Sequence, residues 1–174
     1  MSTTTTTPIT DRHADLVAVA AIGSGVVGGV FFTFSTSIMK SLDRLPAEQS
    51  IQAMQAFNKD VPNAWFMTFM FGTASLCVWL AITAIRRRGG PGSIYLILGA
   101  ALYLVAIAVT AIYHVPVNDG IDKVVPSTPD AAKEWADFAP GWNAWNHVRT
   151  ITSIAACALF LLSVRVQRPI HRSS

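Results

Sequence analysis

Charge is missing from four long stretches of the chain: Leu16 to Met39, Val61 to Ile85, Gly89 to Asn118 and Thr150 to Val164. A helix crosses the hydrocarbon core of a bilayer with about 20 predominantly apolar residues, and the first three stretches exceed that length. The fourth reaches it once Asn146 to Arg149 are counted at one interface and Arg165 at the other, because arginine can lie along apolar surface and keep its charge among the headgroups. A soluble bundle of similar size would need a charged outer face on every helix. Here 52% of residues are hydrophobic and 13% charged, and no segment is one-sided in that way. The expectation is an all-α protein, a four-helix transmembrane bundle with two outer connections that contain short helices.

A formal net charge of +3 raises the question of a nucleic-acid partner. The basic residues, however, sit beside the apolar segments, where they act as topology signals, so no nucleic acid is expected. Arg86, Arg87 and Arg88 fill the short link between the second and third stretches, and Arg165, Arg168 and Arg172 come after the fourth. Positive residues stay on the cytoplasmic side. Both termini then lie inside, and the connections from Lys40 to Asp60 and from Asp119 to Arg149 lie outside a plasma membrane. The second connection is acidic, with Asp119, Asp122, Asp130, Glu134 and Asp137, which agrees with that assignment.

The predicted organisation is a disordered Thr-rich tail over 1–14, a membrane domain over 15–166 and a cytoplasmic tail over 167–174. No positive n-region precedes a short apolar run with a cleavage site, so the first span is expected to act as an uncleaved anchor. Cys77 and Cys157 each fall inside an apolar stretch and read as small buried residues rather than as a disulfide or redox pair. The first stretch carries Gly25-x-x-x-Gly29 and Ser24-x-x-x-Gly28. Small residues one turn apart let backbones approach closely, either within the bundle or in a homodimer through Gly25 and Gly29.

Both outer connections carry helix signals. Pro46 suits a first helical position, and Ile51, Met54 and Asn58 come after it at helical offsets, which predicts a short helix lying on the bundle mouth. Ser127-Thr128-Pro129-Asp130 predicts a helix over Pro129 to Phe138, stopped by Pro140-Gly141.

The segment Gly141 to Thr150 is the most chemically suggestive. On a helix, Trp142, Trp145, Asn146, Arg149 and Thr152 or Ser153 share one face. Interfacial tryptophans and a snorkelling arginine would account for part of this, but an amide beside a guanidinium at membrane depth needs partners in the protein interior. Tyr103, Thr110 and His114 form a matching stripe on the third span, which Pro116 is expected to end just before Asn118. His114, Asn118, Asn146 and Arg149 are therefore predicted to meet in one outer layer of the bundle.

Phe32-Thr33-Phe34-Ser35 leading to Met39, Met54 to Asn58, Val115-Pro116-Val117-Asn118-Asp119 and Trp142 through Arg149, in this order, resemble the anthrone oxygenase-like membrane family. The resemblance runs from about Gly25 to Val164, and its most specific pieces are Pro116-x-Asn118 and Trp145-Asn146-x-x-Arg149. It implies a four-helix membrane protein whose fungal relatives oxidise anthrones to anthraquinones, with neither a metal nor an organic cofactor. It carries Asn58, Asn118, Asn146 and Arg149 into the implied site.

The resemblance and the stripes together suggest roles. Arg149, with Asn146 or Asn118, would stabilise an enolate oxygen, and His114 would take the proton. Trp142 and Trp145 would stack on a hydrophobic polycyclic substrate, with Tyr103 and Asn58 completing the binding set. The alternative is a non-catalytic four-span membrane or accessory protein whose polar stripe holds the outer loops. A haem protein would need His114 and His147 as paired axial ligands on faces that do not obviously converge. A transporter is disfavoured, because no apolar stretch holds an acidic residue.

Overall fold

The computed structural model describes residues 8–86 and 90–167. Helix α1 runs from Pro8 to Thr33 and passes through a π turn (Phe34–Ile38) into the short α2 (Met39–Leu42). Helix α3 (Ala47–Asp60) lies across one end of the bundle, and α4 (Ala64–Arg86) returns. Helix α5 (Ser93–Val109) passes through a second π turn (Thr110–His114) into α6 (Val115–Ile121), and α7 (Ala131–Gln167) closes the fold. Four of the resulting segments, Arg12–Leu42, Ala64–Arg86, Ser93–Ile121 and Ala131–Val166, are long and apolar enough to cross a membrane. The chain is a multi-pass membrane protein built as an all-α bundle.

Each spanning helix packs on two neighbours, α1 on α7 and α4, and α5 on α7 and α4, so the four form a closed ring. Lipid tails are as apolar as the helix surfaces, so association relies on close packing. Small residues provide it. A side chain at Gly28 would meet Ser153 and Ile154 of α7 at 3.1 and 3.2 Å, and one at Gly99 would meet Phe160 at 3.1 Å. Gly25 faces Cys157 of the same chain, whereas Gly29 faces open space. Val17, Val27, Cys77, Leu80, Tyr103 and Phe160 fill the half of the core remote from α3.

A second apolar cluster lies under α3. Ile51 and Met54 are buried there with Met39, Ile121, Trp135 and Phe138, as the helical spacing in this connection predicts. Polar side chains fasten the cover at its edges. Gln55 Nε2 donates to the carbonyls of Ile121 and Val124, both at 2.9 Å, and Trp135 Nε1 donates to Asp43 Oδ1 at 3.0 Å.

Three boundaries differ from the sequence reading. Pro140 does not stop a helix: α7 begins at Ala131 and runs through it without interruption. A proline inside a helix forfeits one backbone hydrogen bond and costs about 3 kcal/mol. Burial of Trp135, Phe138, Ala139 and Trp142 on both sides of it offsets that cost. Pro116 does not end the third span either, because it comes after the second π turn as an early residue of α6. There its fixed φ suits a new first turn. At the N-terminus α1 already runs from Pro8, and the His13 ring lies 6.2 Å from the Trp79 ring of α4. Residues 1–7 of the expected tail lie outside the described residues, as do Arg87, Arg88, Arg168 and Arg172.

Candidate functional site

A cavity of about 290 Å³ lies beneath α3, between α1, α4, the second π turn and α7. That volume is at the lower end of small-ligand pockets, about 300–1,000 Å³. Its walls are mainly apolar, from Phe31, Phe34, Met54, Phe57, Phe66 and Met70. Polar groups enter from two sides: Thr110, His114 and Asn118 on the third span, and Arg149 on α7, with Asn58 at the rim.

Arg149 dominates the electrostatics. It is 6% exposed, and among the described residues no carboxylate pairs with it. Its guanidinium lies over the Phe31 ring at 4.2 Å and faces the Trp142 ring at 5.5 Å. Nη2 donates to Asn146 Oδ1 at 2.6 Å and Nη1 to Thr110 Oγ1 at 3.4 Å, while Nε is buried without a partner. Taking an ion out of water costs several kcal/mol. Hydrogen bonds from a charged donor return about 1.5–3 kcal/mol each, and the two ring faces add to that. All these partners are neutral. The positive charge is held in place but not cancelled.

Asn146 is completely buried, but it does not line the cavity. Its Nδ2 donates at 2.8 Å to both the Phe31 carbonyl and Ser35 Oγ, so its remaining acceptor is free for Arg149. Asn146 therefore stands behind the cavity wall and reaches the cavity only through its bond to Arg149. Ser35 lies inside the first π turn and is also 3.3 Å from Thr150 Oγ1. The amide thus ties α1 to α7 at the level of the guanidinium.

Trp142 Nε1 donates to Asn118 Oδ1 at 2.7 Å, and the Trp142 ring meets His114 edge-on at 5.1 Å. His114 is buried, with Nε2 3.3 Å from the Trp142 carbonyl and Nδ1 without a hydrogen-bond partner. Asn58 Nδ2 donates to Asp122 Oδ1 at 2.8 Å and lies 3.5 Å from the Asn118 carbonyl.

Of the predicted residues, the structure gathers Asn58, His114, Asn118, Trp142 and Arg149 around one cavity. Trp145 and Tyr103 stand apart, contrary to expectation. Three residues advance a helix by about 300°, so Trp145 falls to one side of the line through Trp142, Asn146 and Arg149. It is 44% exposed and packs on Tyr113. Tyr103 is buried in the other half of the core, donating to the Met70 carbonyl at 3.1 Å. The intervening π turn shifts its phase relative to His114. His147 is exposed on another face of α7, while His114 is buried. Among the described residues no three His, Cys, Asp or Glu side chains come together as a metal site.

Sequence reasoning missed the aromatic and methionine wall from α1, α3 and α4, which in a chain this apolar has no distinguishing pattern. It also missed both π turns, which flank the cavity and contribute Phe34, Thr110 and His114 to its lining. Such turns occur mostly as single widened turns, frequently at functional sites.

A family model described as anthrone oxygenase matches residues 63–159. No curated protein and no solved structure matches the chain. The matched segment holds His114, Asn118, Trp142, Asn146 and Arg149, and it begins after Asn58.

Proposed function

Because the chain belongs to the anthrone oxygenase family, we propose that its cavity binds an anthrone-type or related polycyclic phenolic substrate and promotes its oxidation by dioxygen without a resident cofactor. One observation carries this reading: the buried, uncompensated guanidinium of Arg149 faces an aromatic cavity. Such a site favours a flat apolar molecule that carries or develops negative charge.

The chemistry suits those groups. An anthrone loses a proton from its central methylene to give an enolate, whose oxygen the Arg149 guanidinium would stabilise. The electron-rich ring carbon transfers an electron to dioxygen, and the two radicals combine to a carbon–oxygen bond. The resulting peroxide takes up a proton. Loss of the second methylene hydrogen then breaks the oxygen–oxygen bond, giving the quinone carbonyl and water. His114 is the candidate for the proton transfers. Trp142 offers an aromatic surface at the cavity wall.

Basic residues flanking the spans and the acidic second outer connection support a plasma-membrane orientation with both termini cytoplasmic. The non-catalytic reading draws on Asn118 and Asn146, whose side chains are engaged inside the protein. Oxygen uptake by membranes containing the protein, supplied with anthrones and hydroquinones in the presence of a strong chelator, decides between the two. The enzyme reading expects uptake above empty membranes with no added flavin or nicotinamide. Absence of uptake on every anthrone favours the non-catalytic reading.

A further inference from the structure

The cavity is covered by α3 at one end of the bundle, and most of its exposed lining lies along the side. Gln55, Asn58 and Trp135 fasten α3 and its neighbours across that end, over a sealed apolar cluster. Of the cavity-lining residues that are exposed, Phe71 on one edge and Ala111 and Val115 on the other lie along the side, and Pro62 lies in the α3–α4 link; all four are apolar. Phe71 is seven residues into α4, about 10 Å from its first turn. Its ring is therefore at membrane depth rather than at the water boundary. Two of the polar lining groups, Arg149 and His114, are buried behind this edge.

The backbone explains the opening. Helix α4 packs closely on α1 and α5, but it has no comparable contact with the second π turn or α6. A π turn widens the helix and changes the phase of the residues beyond it, so the third span veers from α4 at the level where Thr110 to His114 begins. A seam remains between the two edges.

Resting on the ligand class proposed above, we infer that this seam is a lateral portal through which an apolar aromatic substrate reaches Arg149 directly from the adjacent leaflet, without crossing the α3 cover. An apolar opening at this depth meets acyl chains, and a polycyclic phenol concentrates in the same phase. Narrowing the seam therefore slows exchange in both directions, while loosening the cover has little effect.

The test monitors binding of a dihydroxyanthraquinone, which undergoes no turnover, to the full-length protein in lipid vesicles, by stopped-flow quenching of tryptophan fluorescence. Ala111→Trp should slow association and dissociation by at least about tenfold each. Phe71→Ala, at an exposed position, should accelerate both. Gln55→Ala, which releases two bonds of the cover, should leave both rates within about twofold of the parent. Faster association in Gln55→Ala with unchanged rates in Phe71→Ala would overturn the portal and route the ligand through the cover. Absence of binding to the parent protein would instead overturn the ligand class and the portal with it. Normal binding without oxygen uptake on anthrones would count against the proposed reaction alone.

Discussion

Arg149 Nη2 and Asn146 Oδ1 are 2.6 Å apart across one turn of α7, the shortest hydrogen bond that either side chain makes. Asn146 uses its donor hydrogens on Phe31 of α1 and on Ser35 of the first π turn, so its orientation, and with it the plane of the guanidinium, is set by a different span from the one that carries both residues. The amide supplies direction and no charge.

Asn146→Asp places a carboxylate where a neutral acceptor now stands. It should neutralise Arg149 and lower the affinity for a phenolate ligand by about tenfold more than Asn146→Ala does. Both substitutions lose the donors to the Phe31 carbonyl and Ser35, so both should lower thermal stability. Equal affinities in the two variants, measured by fluorescence titration, would show that the free charge is immaterial.

Arg149→Lys keeps the charge but loses the planar fork that reaches Asn146 and Thr110 at once. The loss of one charge-assisted hydrogen bond, about 1.5–3 kcal/mol, corresponds to a fall in kcat/KM of roughly 10–100-fold. Steady-state oxygen uptake with an anthrone measures it. Parent-like kinetics would mean that a point charge suffices.

If His114 moves the methylene proton, His114→Ala should slow anthrone oxidation by roughly 10²-fold or more, the lower end of what general base catalysis contributes. The effect should fall on kcat, with ligand affinity far less affected. A deuterated methylene should give a primary isotope effect in the parent. Full activity in His114→Ala would assign His114 to packing against Trp142 alone.

Glycines of the first span should divide by neighbour rather than by motif. Gly28→Ala pushes a methyl onto Ser153 and Ile154 and should cost about 1–3 kcal/mol. Gly29→Ala enters open space and should be neutral, or stabilising by up to about 1 kcal/mol through helix propensity. Thermal melts in one detergent compare them. A matching loss in both would point to a second surface packed on Gly29.

Orientation is checked by labelling. In intact cells a cysteine replacing Asp130 should react with an impermeant thiol reagent, and one replacing Gly90 should not. The reverse pattern inverts the proposed topology.

Much of the architecture is legible in the sequence because a bilayer imposes length and apolarity on each span. The buried stripe is legible too, since Trp142, Asn146 and Arg149 repeat at helical spacing among apolar residues. Trp145 misleads because an interval of three fits a helical face only at its margin, and here the margin faces outward. Tyr103 misleads because counting turns from it to His114 assumes a uniform helix, while the backbone widens in between. Nothing in TAIYH marks that change of hydrogen-bond pattern. Pro116 and Pro140 mislead in the opposite direction, since tertiary packing retains helices that local rules would end.

The second π turn also sets how this protein can vary in length. It holds one residue more than an ordinary α turn, so the same residues wound as a regular helix would turn everything after it by about 100° relative to the preceding part of the span. Asn118 would leave Trp142, and the carbonyls of Ile121 and Val124 would swing away from Gln55, undoing the wall and the cover of the cavity together. Losing one residue as the turn closes to α leaves both in register. A span threaded through lipid usually absorbs a missing residue by tilting slightly. Here the widened turn can take it up instead, and a more regular helix of the same length would make a poorer container.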